Sequence, residues 1–185
     1  LFGMLATGFM MFLMKYSNKF IFNEMLIDDQ FSFYFKCIIL FSTFSIILVS
    51  KYSKELDDEY RIEYNTLLLV VLLGMFLMTS SVNLIMIYLS LELVSIPSYI
   101  LAGIMKNDKK SNEASLKYVI FGSFASGLML FGFSWLYGIS GSTNIYDVYN
   151  SIVLLQNSSA VLMSLLLILV GFGYKVSMVP FHYWT

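Results

Sequence analysis

Between Leu67 and Met105 the chain runs for 39 residues with one charged side chain, Glu92. A bilayer hydrocarbon core about 30 Å thick is crossed by roughly 20 apolar residues in a helix. The run is therefore long enough for two crossings, and the polar cluster Thr79-Ser80-Ser81-Val82-Asn83 supplies the break between them. Within hydrocarbon a helix satisfies its own backbone hydrogen bonds, which an open strand cannot do. Composition extends the argument to the whole chain of 185 residues, 58% hydrophobic and 12% charged. A soluble domain carries about 25% charged residues. The polar residues are too few to wrap a water-soluble core.

The remaining apolar segments complete an all-α, multi-pass transmembrane helix bundle within one domain, residues 1–185. The expected spans are 1–14 (partial, the tail of a helix that starts upstream), 31–50, 64–80, 83–105, 113–138 and 159–184. Residues 1–14 lack the basic n-region and small-residue cleavage site of a secretory signal. Asn112 before Glu113 reads as an N-cap with an acid in the first turn, and Gly138 and Gly141 as stop signals. The connections 51–63 and 106–112 fall on one side and carry Lys51, Lys54, Arg61, Lys106, Lys109 and Lys110. The opposite connections, 15–30 and 139–157, carry only Lys15 and Lys19. The positive-inside rule places the six-cation side in cytoplasm or matrix.

A net charge of −1 and the lack of a basic stripe argue against nucleic acid as a partner. One cysteine, Cys37, and one histidine, His182, are too few for an iron–sulfur cluster, a bis-histidine haem or a structural zinc site. No redox cofactor is expected on this chain. The skew towards Phe, Tyr, Ile, Leu and Met fits an AT-rich organellar genome.

The charges inside the expected spans carry the chemistry. Glu92 lies nine residues after Asn83, about 13 Å along a helix. Lys175 lies sixteen residues after Ser159, and Lys117 four after Glu113. Each charge at the bilayer centre costs roughly 2.5–3.5 kcal/mol on insertion scales, so retained charges are used or paired. Glu92 is followed five residues later by Pro97, and Lys175 five residues later by Pro180. A proline removes an intrahelical hydrogen bond and crowds the carbonyl four residues back, here Leu93 and Val176. Both helices are thus expected to loosen beside their ionisable group, with Ser95 and Ser177 near enough to hold water. Blander readings stand beside this one. Lys117 can snorkel from a helix end, Glu92 and Lys175 can form a static ion pair, and Pro97 and Pro180 can be packing kinks. His182 reads as an interfacial or packing residue. Trp135, Tyr137, Tyr183 and Trp184 read as an aromatic belt. Gly122, Ser123, Ala125, Ser126 and Gly127 read as a small-residue packing face.

The same residues carry a family likeness. The run Leu89–Tyr99 resembles the L-x-L-E-L-x-S-x-P-x-Y segment of the antiporter-like subunit 2 family of respiratory complex I (NADH:ubiquinone oxidoreductase). Residues Glu113–Tyr118 are similar to its E-A-x-L-K-Y motif, and Ala125–Tyr137 match a looser A-S-x-L-x-L-x-G-x-x-x-x-Y pattern. Residues Gly171–Thr185 resemble G-x-G-x-K-x-S-x-x-P-F-H-x-W-T. The likeness covers about Phe31 to Thr185.

That resemblance implies a proton-translocating membrane-arm subunit, multi-pass in the mitochondrial inner membrane or in a bacterial inner membrane. It implies protons moving through Glu92, Lys117 and Lys175, with Pro97, Pro180, Ser95, Ser177 and His182 in support. NADH, FMN, iron–sulfur clusters and ubiquinone would be held by other subunits. The family's first inverted repeat has five helices, of which four are represented here with the helices that precede them. The expected partners are the other membrane-arm subunits, membrane lipids and a separate chain supplying the missing C-terminal helices, unless the sequence is a fragment. A Glu–Lys separation of about 7 Å gives roughly 2.4 kcal/mol of attraction at an effective dielectric near 20. The alternatives are a subunit of a monovalent cation/proton antiporter and a purely structural half-subunit.

Overall fold

The computed structural model describes residues 2–13, 16, 18–53, 58–154 and 158–182. The expected roles of Lys15, Lys54, Tyr183 and Trp184 fall on residues outside that set. The described elements are α1 (Phe2–Leu13), β1 (Lys19–Ile21), β2 (Leu26–Asp28), α2 (Gln30–Tyr52), α3 (Asp58–Ser80), α4 (Leu84–Ala102), α5 (Lys109–Ser140), α6 (Ile145–Leu154) and α7 (Ser159–Lys175). This is an all-α membrane bundle. Four of its helices, α2 to α5, are long and apolar enough to cross a bilayer. The dominant packing seams are α5 on α7 and α3 on α4, with α2 on α3 and α4 on α5 next.

The break at residues 79–83 forms as its polarity predicts. Asn83 caps α4 by accepting from the Ile85 N–H at 3.0 Å, which satisfies one of the free donors of the first turn. Its side-chain amide also donates to Thr143 Oγ1 at 2.8 Å. The backbone of this break is pinned from both sides. Val82 N–H donates to Met25 O and Leu84 N–H to Thr143 O, while Ile145 N–H donates to Val82 O. Two elements were not expected in the connections. Residues 19–28 form a small antiparallel hairpin, and α6 lies where a polar loop was expected. At ten residues α6 is too short to cross a bilayer, and it buries only Val148.

Three of the helix ends that differ from expectation concern caps or the site. α5 starts earlier, with Asp108 as the N-cap accepting from Lys110 N–H. Asn112 instead donates to Lys106 O at 3.0 Å. Gly141 terminates α5 in the left-handed region at φ 72°, whereas Gly138 lies inside the helix. The third difference touches the site. α7 stops at Lys175 and not near residue 184.

Candidate functional site

The end of α7 brings Lys175 to α4. Ser177 has a φ of 53°, Met178 N–H donates to Gly173 O, and Ser177 N–H donates to Tyr174 O. These are the two bonds of a Schellman motif, in which a left-handed residue reverses the chain and satisfies the last carbonyls. The helix therefore ends five residues before Pro180, at Lys175, and the expected loosening at Val176 is a full termination set by Ser177. The other proline removes its hydrogen bond without ending the helix. α4 remains helical from Leu84 through Pro97 to Ala102. Hydroxyls bond to carbonyls within the same helix, Ser95 to Leu91 O and Ser98 to Val94 O, each at 2.7 Å. Gly74 of α3 faces this stretch, where an added Cβ would come within 3.0 Å of Val94 N and 3.1 Å of Leu93 C. Glycine is thus required for the backbones of α3 and α4 to meet one residue from Glu92.

Lys175 and Glu92 form an ion pair between α7 and α4, with Nζ 3.6 Å from Oε1. Their side chains are 11% and 21% exposed. Each ion has a hydroxyl partner nearer than its counter-ion. Ser126 of α5 donates to Glu92 Oε1 at 2.6 Å. The Lys175 ammonium donates to Ser95 Oγ, and to Tyr99 Oη at 3.3 Å. The centre is thus assembled from α4, α5 and α7. Charge-assisted hydrogen bonds of this kind satisfy ions that water would otherwise hold.

The surroundings differ along the helix axes. Towards the α4 C-terminus stand three tyrosines. Tyr99 meets Tyr118 edge-on with centroids 4.6 Å apart, and Tyr118 faces Tyr174 at 6.4 Å. Towards the α4 N-terminus the space is filled by Leu84, Leu91, Met129, Phe133, Leu136 and Ile168. The close α5–α7 seam behind them depends on Gly132, where an added Cβ would lie 2.8 Å from Ser164 O, and on Gly171, which lies against Met129.

The sequence-derived candidates are distributed unevenly. Glu92, Lys175 and Ser95 meet in one cluster. Lys117 pairs with Glu113 one helical turn earlier, on side chains 60% and 64% exposed. Ser177 shapes the end of α7. Pro180 and His182 are exposed beyond it. Ser126 and Tyr99 are the residues sequence reasoning left out of the site. Ser126 had been read as a packing residue, and its one-turn spacing from Gly122 is the pattern that masked it.

Residues 81–185, more than half of the chain, match the family described as the NADH:quinone oxidoreductase/Mrp antiporter transmembrane region. The chain belongs to this family. Within it, the chain is similar to NADH-quinone oxidoreductase subunit N 2 of Chloroherpeton thalassium, 48% identical over 161 residues, covering 85% of this chain and 31% of the relative. It is similar also to subunit N of an Anaeromyxobacter species, 41% identical, covering 89% of this chain and 33% of the relative. The chain thus spans about a third of the length of these curated relatives. Among solved structures, a chain of respiratory complex I from Thermus thermophilus with bound aureothin superposes with a TM-score of 0.73 at 26% identity, over 100% of this chain and 39% of that one. The relatives are bacterial, which lends no support to the expected mitochondrial placement and agrees with a bacterial-type inner membrane.

Proposed function

We propose that the chain is part of the proton-translocating, subunit N-type component of an NADH:quinone oxidoreductase, multi-pass in an inner membrane. The observation that carries this reading is the partly buried Lys175–Glu92 pair at 3.6 Å, held between three helices by Ser95, Tyr99 and Ser126. A lysine and a glutamate with separate hydroxyl partners can exchange attraction for one another against local hydrogen bonds. When Glu92 swings away, the Lys175 ammonium loses its counter-ion and releases a proton more readily. When it returns, the ammonium is restored. Lys117, beside Tyr118 and paired with Glu113, is the further proton-holding station in this scheme. Quinone reduction in other subunits supplies the driving force, and NADH, FMN, iron–sulfur clusters and ubiquinone are bound there. The other membrane-arm subunits and the lipid bilayer are the partners. The helices that follow in the longer relatives complete the repeat, whether on the same polypeptide or on a separate chain.

The test is Lys175→Met in the assembled complex, reconstituted in vesicles. The expected result is electron transfer with a lowered proton-to-electron ratio and normal assembly. An unaltered ratio would refute the proposal. A second reading comes from the family's own description, which includes Mrp antiporters. Sodium-dependent proton exchange in the absence of NADH would select it. Unchanged activity after neutralising Glu92, Lys117 and Lys175 together would select a structural role.

A further inference from the structure

The geometry points to Tyr99 as a positioning residue for Lys175, set in place by the absent side chain of Gly122. This inference rests on the proposed role of Lys175. Tyr99 is 6% exposed and lies two helical turns beyond Glu92 on α4. It meets the lysine in two ways. Its hydroxyl accepts from Lys175 Nζ at 3.3 Å, and the ammonium sits 5.7 Å from the centre of its ring. The hydroxyl is lodged against α5 at Gly122, where any Cβ would collide with Tyr99 Oη and lie 2.6 Å from Cζ. The ring is fixed from the side by Tyr118 at 4.6 Å. The backbone is tied as well, since Ser115 Oγ donates to Tyr99 O at 2.8 Å. The tyrosine is therefore fixed on three sides and its one polar atom is directed at the ammonium.

The physical consequence concerns the moment when Glu92 is withdrawn. An ammonium left alone at this depth would retreat towards water. Ser95 and the face and hydroxyl of Tyr99 keep it where Glu92 can find it again. The titratable and charged groups around Lys175 are Glu92 and Tyr99 from α4, Tyr118 from α5 and Tyr174 on its own helix. Tyr174 directs its hydroxyl elsewhere, to Tyr118 O at 3.1 Å. Tyr99 hydrogen-bonds the ammonium as a neutral acceptor, and Ser95 does so from the same helix.

Two variants separate this role from packing. Tyr99→Phe removes the hydroxyl and keeps the ring. Gly122→Ala keeps the hydroxyl and displaces it. Each is placed in the full-length subunit of the assembled complex, and pumping is followed against pH. The midpoint of the pH profile is expected to move by about one unit in Tyr99→Phe, the tenfold equivalent of one charge-assisted hydrogen bond. Gly122→Ala, whose methyl group displaces both hydroxyl and ring, is expected to move it the same way. A Tyr99→Phe profile that overlays the wild type overturns the assignment, and so does an unshifted Gly122→Ala profile. Lys175→Met separates the two levels. If it leaves pumping intact, the proposed function fails. If it stops pumping while Tyr99→Phe changes nothing, only the role of Tyr99 fails.

Discussion

Breaking the Lys175–Glu92 pair from one side and then from both distinguishes what holds this bundle together from what makes it work. With Nζ and Oε1 3.6 Å apart, the attraction is roughly 4–5 kcal/mol at an effective dielectric near 20. That is about twice the value for the 7 Å separation expected from sequence. Lys175→Met leaves the Glu92 carboxylate, 21% exposed, with Ser126 as its partner. Removing one member of a buried pair costs about 3–5 kcal/mol, because the other charge stays uncompensated. Glu92→Gln leaves the ammonium on Ser95 and Tyr99 and is expected to cost less. In Glu92→Gln/Lys175→Met no charge remains, and the two losses should fail to add by about 1–3 kcal/mol. Thermal denaturation of the assembled complex reads the stability, and proton-to-electron ratios in vesicles read the function. Stability should recover in the double variant while the proton-to-electron ratio stays lowered in all three. Additive destabilisation would refute the pairing, and normal pumping in the double variant would refute the mechanism.

Other outcomes follow from the same geometry. Gly132→Val places side-chain atoms against the rigid Ser164 carbonyl of α7, and should cost about 1–3 kcal/mol by overpacking, seen as a lower denaturation midpoint. Asn83→Ala removes the α4 cap and the link to Thr143, for about 1 kcal/mol in the same assay. Ser177→Gly should be neutral or stabilising at φ 53°, whereas Ser177→Val should destabilise by about 1–3 kcal/mol. Lys117→Met, at an exposed pair, should leave stability unchanged and reduce pumping less than Lys175→Met does.

Much of the architecture was legible because hydrocarbon leaves the backbone few choices. The apolar runs located the membrane helices, and the polar cluster at 79–83 separated α3 from α4 because Thr79, Ser80, Ser81 and the capping residue Asn83 interrupt an otherwise apolar run. Glu92 and Lys175 stood out because a charge in such a run is costly and therefore paired or used. The hairpin at 19–28 was hidden because strands of three residues are too short to show an alternation, and helix α6 because ten residues fall below the length of a span. Each is positioned by backbone bonds to the 81–83 break.

What sequence alone determined, then, is the helical character of the apolar runs and the identity of the two partly buried ions, since both follow from the local cost of polarity in an apolar solvent. What only the tertiary structure decided is which groups those ions face. The partners of Glu92 and Lys175 come from residues 34 and 80 positions away. They were brought near by glycines that let helices touch and by a left-handed serine that stops α7 at the lysine. Pro97 illustrates the same limit, since a lost hydrogen bond is a local fact, whereas the continuity of α4 through it depends on the neighbours packed against it.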